Sequence, residues 1–182
     1  MDEVPSLIVG ALLPAAWEIV TFLRHRRFDP VSALNLVALG MGIALAVTGG
    51  SARFILVKES FVTGAIGTAF LLSLLGPRPA HFYLGRQFVT GNVQERVDRY
   101  NAGWDISPKM RTVLRTTTSV WGVVMLLELA LRIVLVFRLT TEQMLAAGPI
   151  VFYLTTGALV LWTIRYVRRH RPEIQAAIRA KS

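Results

Sequence analysis

The chain has 182 residues, 53% of them hydrophobic, a formal net charge of +9 and no cysteine. Its apolar residues gather into runs of roughly 17–25, the length that crosses a hydrocarbon core about 30 Å thick, so an ordinary soluble domain is excluded. Disulfides, thiolate metal sites and cysteine nucleophiles are excluded with the missing cysteine. The basic residues sit at the ends of the apolar runs, as topology signals do, which argues for a bilayer and against nucleic acid. The expected fold is all-α: one integral membrane domain with about five transmembrane helices and a cytoplasmic interfacial helix.

The chain opens with Asp2 and Glu3 where a secretory signal peptide would carry positive charge, so the first apolar run is expected to be retained. That run, residues 6–23, contains Pro14 and Glu18 and ends at Arg24-His25-Arg26-Arg27. Asp29-Pro30 turns the chain into a second span at 31–48, closed by Gly49-Gly50. Ala38, Gly42 and Ala46 recur every four residues there, a spacing that lets another helix approach closely. Residues 51–57 read as a short surface or re-entrant piece. The third span, 60–75, carries a second small-residue stripe of Ser60, Gly64 and Thr68, with Gly67 beside it. Gly76-Pro77-Arg78-Pro79 breaks it.

Residues 77–110 form the most polar part of the middle. The stretch HFYLGRQF suits a helix in the headgroup region, and Glu95 and Arg99 stand at ion-pair spacing. The fourth span is expected at 112–137. The fifth, at 146–166, is opened by Gly148-Pro149 and followed by a basic tail over 167–182 that carries a short amphipathic turn. With the N-terminus outside and the C-terminus inside, every basic residue but Arg53, Lys58, Arg132 and Arg138 falls on the cytoplasmic side, which decides the orientation.

Ionisable groups within the bilayer cost roughly 2.5–3.5 kcal/mol each on insertion scales, so each needs a partner. Glu128 and Arg132 are one turn apart, and the topology brings Lys58 and Glu59 to similar depth. An intramembrane polar cluster of Lys58, Glu59, Glu128 and Arg132 is therefore expected, as a staple between helices or as a substrate or ion site. Glu18 and Asn35 match in depth and form a second expected polar pair. Arg26, Arg27, Arg78, Arg86, Arg168 and Arg169 make an inner rim that attracts anionic lipid headgroups. Three scattered histidines, without H-x-x-x-H or H-E-x-x-H spacing, make no metal site. No G-x-S-x-G elbow and no phosphate-cradling glycine loop occurs, so no cofactor and no catalytic residue is assigned.

The order of motifs between Arg24 and Gln87 carries a resemblance. A basic cluster, Asp29-Pro30 and Ser32, a Gly-rich exit, Lys58-Glu59-Ser60 with Thr63-Gly64, and Leu75 to Arg78-Pro79 and Phe82 follow one another. This order resembles the bacterial inner-membrane proteins grouped with intracellular septation protein A and their actinobacterial-type relatives. Those proteins usually carry Lys-Pro-Thr where this chain has Lys58-Glu59-Ser60. The resemblance implies a multi-pass protein of the cytoplasmic membrane, linked to division and envelope synthesis and self-associating as a homodimer or higher oligomer. It implies no catalytic residue. The expected function is a non-enzymatic envelope protein, set against a small transporter or channel using the outer charged cluster, and against a lipid-modifying enzyme using Glu18 or Glu128.

Overall fold

The computed structural model describes residue 40, residues 52–91 and residues 93–180, with residues 52–59 described by their backbone alone. All regular structure among these residues beyond the isolated helical position 40 lies in five α-helices: α1 Ala52–Ser73, α2 Ala80–Thr90, α3 Gln94–Ile106, α4 Pro108–Arg138 and α5 Thr141–Arg179. The expected spans at 6–23 and 31–48 lie outside the described residues.

Among the described residues two helices, α4 and α5, are long and apolar enough to cross a membrane. At 1.5 Å per residue they run about 47 Å and about 58 Å, so both project well beyond a hydrocarbon core of about 30 Å. A core helix of a soluble protein would be mostly covered by its neighbours. Here only 22% and 17% of the most apolar stretches of α4 and α5 are buried. What they turn outward is apolar: Val123, Leu127, Leu131 and Val134 on α4, and Leu154, Leu161 and Ile164 on α5. The stretch of α1 that is described with its side chains, residues 60–73, is apolar but shorter than a span.

Several boundaries differ from expectation. Residues 52–57 are no separate surface piece, since α1 runs unbroken from Ala52 to Ser73. The helix that carries the expected fourth span, 112–137, begins at Pro108, where Ser107 caps it: its Oγ accepts from the Met110 amide at 3.3 Å and Pro108 sits at the first helical position. The helix that carries the expected fifth, 146–166, begins at Thr141, ahead of Gly148-Pro149. Thr140 and Gln143 form a reciprocal capping box, with Gln143 N to Thr140 Oγ1 at 3.3 Å and Thr140 N to Gln143 Oε1 at 3.1 Å. Pro149 therefore lies inside α5, as does Pro172, and the basic tail is a continuation of the same helix to Arg179.

The helix α4 is the axis of the assembly. It packs along α1 on one side and along α5 on another. The α1–α4 seam is antiparallel and close. A Cβ on Gly67 would stand 2.9 Å from the Met125 Cβ and 3.0 Å from the Gly122 carbonyl oxygen, and one on Gly122 would meet the Leu71 side chain. Gly64 is filled by Leu129 in the same way. Small residues are what permit backbones to approach this far. The α4–α5 seam is held by polar rungs: Trp121 Nε1 to Thr163 Oγ1 at 2.8 Å, Arg132 Nη2 to the Gly148 carbonyl at 3.1 Å, and Lys109 Nζ to Glu173 Oε2 at 2.8 Å.

Beneath these helices α2 and α3 form a hairpin around Phe82, which is fully buried among Tyr83, Tyr100 and Trp104. Gly91, with φ 56°, ends α2 in the left-handed region that glycine adopts without strain. The chain leaves α1 through Gly76-Pro77-Arg78-Pro79. There Arg115 of α4 donates to the Leu74 and Gly76 carbonyls at 3.2 and 3.5 Å, satisfying acceptors at the end of α1.

Candidate functional site

Glu128 and Arg132 lie on the inward side of α4, where they are 4% and 8% exposed. The helix brings them together by spacing alone: Arg132 Nη2 is 2.9 Å from Glu128 Oε1, four residues earlier. The same Nη2 donates to the Gly148 carbonyl of α5, and the guanidinium stands 5.7 Å from the centre of the Phe152 ring. The pair is thus an ionic contact within α4 and a hydrogen bond to α5 at once. Its geometry is incomplete. Glu128 Oε1 is near the guanidinium but not aligned as a hydrogen bond, and Arg132 Nε has no hydrogen-bond partner.

The side chains of Lys58 and Glu59, the other expected members of this cluster, lie outside the described residues, as do Glu18, Asn35, Ala38, Gly42, Ala46, Arg26 and Arg27. Their helix, however, sets their level. Gly64 faces Leu129 and Gly67 faces Gly122 and Met125, so the antiparallel register carries the backbone of residues 58 and 59 past Arg132 toward the C-terminal end of α4. Ser60, fully buried, comes between them and Gly64.

The expected stripe of Ser60, Gly64 and Thr68 divides. Ser60, Thr63, Gly64 and Gly67 are buried, the two glycines against α4. Thr68 is exposed and returns its hydroxyl to the Gly64 carbonyl of its own helix at 2.8 Å. A spacing of strict fours drifts around a helix of 3.6 residues per turn, and the buried line follows 60, 63, 64, 67 and 70 instead.

A second polar centre lies toward the N-terminal half of α4. His81, at the start of α2, is wedged between Phe70 of α1 and Trp121 of α4, with ring centroids 5.2 and 5.4 Å away. Its amide and its Nδ1 both meet Thr118 Oγ1 at 3.3 Å. Burial without a charged partner lowers its pKa to about 4, so the ring is neutral at physiological pH. Thr118 in turn donates to the Leu114 carbonyl at 2.8 Å, and Trp121 carries the contact on to Thr163 of α5. One side chain therefore touches α1 and α4 while standing on α2. Sequence reasoning gave His81 no partner; aromatic and hydroxyl residues of neighbouring helices converge on it, and no local spacing announces that.

The basic rim also divides. Arg78 is engaged within the chain, 4.6 Å over the Phe82 ring and 3.8 Å from Asp105. Arg86 lies 5.8 Å from the Tyr83 ring and opposes the upward effect of burial on the Tyr100 hydroxyl. Arg168 and Arg169 are exposed on α5. Glu95 and Arg99 pair at 2.7 Å, as their spacing implies, but in solvent. The Lys109 ammonium holds the Glu173 carboxyl below the usual glutamate range through its hydrogen bond. Among the described residues no group of three or more His, Asp or Glu side chains is placed to hold a metal ion. Comparison of the chain with protein-family models, with curated proteins and with solved structures finds no match.

Proposed function

We propose that this chain is a multi-pass integral protein of a bacterial cytoplasmic membrane, N-terminus outside and C-terminus inside, that serves the cell envelope through helix–helix contacts and not by chemistry on a substrate. A septation-protein-like role and self-association belong to this reading. The observation that supports it best is where the buried charge goes. Glu128 is placed against Arg132, and Arg132 reaches the Gly148 backbone of the neighbouring helix, so acid and base are spent on fastening α4 to α5. The Gly64–Gly67–Gly122 seam is likewise filled from within the chain. Contacts with a second copy then fall to outward faces, such as that of α5, where a Cβ on Gly157 would meet nothing within 4 Å. Gly157→Leu is expected to change the oligomer distribution in nanodiscs while leaving helix content intact. An unchanged distribution across several bulky outward substitutions on α5, or a wild type that is monomeric at every protein-to-lipid ratio, removes self-association.

A small transporter is the second reading, and one observation favours it. Arg132 Nε is a buried donor without a partner, beside a carboxylate oxygen that is not fully satisfied, and groups left in that state are candidates for a transient guest. Glu128→Gln keeps the shape and removes the charge. On this reading it abolishes flux of a coupled ion in proteoliposomes; absence of any proton, sodium or potassium flux through the wild type decides for the staple.

A further inference from the structure

The hairpin of α2 and α3 has two unlike sides. The only fully exposed residues of α2 are Phe88 and Val89, 83% and 67% accessible, and the apolar edge continues across the turn to Val93. The exposed residues of α3 include Gln94, Glu95, Arg96, Asp98, Arg99 and Asp105. A helix pair in water has no reason to hold its phenylalanine out and its tyrosine in, yet Tyr100 packs on Phe82 while Phe88 is bare.

The attachment points say which side faces the bilayer. The start of α2 is fixed at the level of the last turn of α1: the Ala80 amide donates to Ser73 Oγ at 2.9 Å, and His81 meets Thr118 of α4. The end of α3 is fixed lower. Gly103 packs against Met110 of α4 and Ile178 of α5, and the Ser107 amide closes α3 onto the Gly103 carbonyl. Thr118 and Met110 are eight residues apart on one straight helix, roughly 12 Å along its axis. Of the two layers, α2 is the one nearer the membrane centre.

We infer that α2 lies in the inner leaflet of the bilayer this protein spans, with Phe88, Val89 and Val93 at the boundary between headgroups and acyl chains, while α3 rides beneath it in water. The occupant of the apolar edge is lipid. Leu72 and Leu75, 59% and 86% exposed at the end of α1, come just before the turn into α2, so apolar side chains are bare on both sides of the Gly76–Pro79 break. Arg86, two residues from Phe88 and so about 160° around α2 from it, stands 5.8 Å from the Tyr83 ring, which leaves the Phe88 side of the helix without charge. The segment from Arg78 to Asp105 is close to neutral, with four arginines against three acids, so apolar contact and not charge holds it there. This inference rests on the membrane reading above.

The chain contains no cysteine, so single nitroxide labels report cleanly. Phe88→Cys, Val89→Cys, Glu95→Cys and Asp98→Cys are exposed positions whose replacement leaves the core intact, and Leu127→Cys marks the lipid-facing side of α4. In liposomes the labels at 88 and 89 are expected to be open to oxygen and closed to a water-soluble nickel chelate, at a depth of roughly 5–10 Å. Labels at 95 and 98 are expected to show the reverse. Chelate access at 88 and 89 equal to that at 98 overturns the inference, and so does exclusion of both reagents, which means a protein covers the edge. In either case an oxygen-exposed label at 127 leaves the membrane reading standing; a chelate-exposed label at 127 sinks both.

Discussion

The two seams of α4 hold by different means. Toward α1 the helix offers Gly122, Met125 and Leu129 to Leu71, Gly67 and Gly64, and the contact is one of shape. Toward α5 it offers Trp121 and Arg132 to Thr163 and Gly148, and the contact is one of hydrogen bonds. Within a bilayer, where lipid tails are as apolar as leucine, neither seam would draw on the hydrophobic effect. The first depends on backbones coming close enough for dispersion to accumulate, the second on polar groups having no better partner in hydrocarbon. A substitution that is mild in one seam should be severe in the other.

The sharpest separation comes at Arg132. Arg132→Ala strands Glu128 at a buried site and is expected to destabilise the α4–α5 pair by about 3–5 kcal/mol, whereas Glu128→Leu combined with Arg132→Met should recover much of that loss. Reversible unfolding in mixed detergent micelles measures both; a double variant no better than Arg132→Ala contradicts the staple. His81 gives the next effect, and its sign follows from burial. The ring stays neutral in the fold down to about pH 4 but gains a proton at about 6.5 once unfolded. Stability is therefore full above about pH 6.5 and falls by roughly 3 kcal/mol as pH drops from there to about 4. His81→Gln should flatten unfolding free energy across that window, and an unchanged slope means that other groups carry it.

Gly67→Leu tests the shape seam. Its side chain has only the Met125 Cβ and the Gly122 backbone to displace, so a loss of about 1–3 kcal/mol is expected, while Gly67→Ala loses less. Equal stability of Gly67→Leu and wild type would mean that α1 is not seated as described. Trp121→Phe keeps the ring and removes one interhelical hydrogen bond, at an expected cost of about 0.6–1.7 kcal/mol, the smallest of the series.

How much of this was readable beforehand depended on whether the signal was local. The Glu128–Arg132 and Glu95–Arg99 pairs follow from spacing on one helix and stand where spacing puts them. The start of α5 was misplaced although its signal was present, because Thr140-x-x-Gln143 caps a helix eight residues ahead of the proline taken as its opening. The tail over 167–182 was read as basic with only a short amphipathic turn, whereas the Lys109–Glu173 and Gly103–Ile178 contacts seat it as a continuation of α5 past Pro172. His81, Thr118 and Trp121 could not be joined by any local rule, since α2 meets α4 only once the hairpin has folded back. Thr68 was drawn into a stripe by counting in fours, where 3.6 residues per turn leaves it outside.

Everything described depends on α4 and α5 crossing a bilayer in opposite senses, with their connection on one side and the hairpin and basic tail on the other. Thr140→Cys, Asp98→Cys and Gln175→Cys, made singly in the cysteine-free chain, place a thiol at each of those points. In spheroplasts an impermeant maleimide should label position 140 at once, and positions 98 and 175 only after permeabilisation. Labelling of 140 and 175 from the same side, or of all three in a fraction that needs no detergent to stay in solution, contradicts the account.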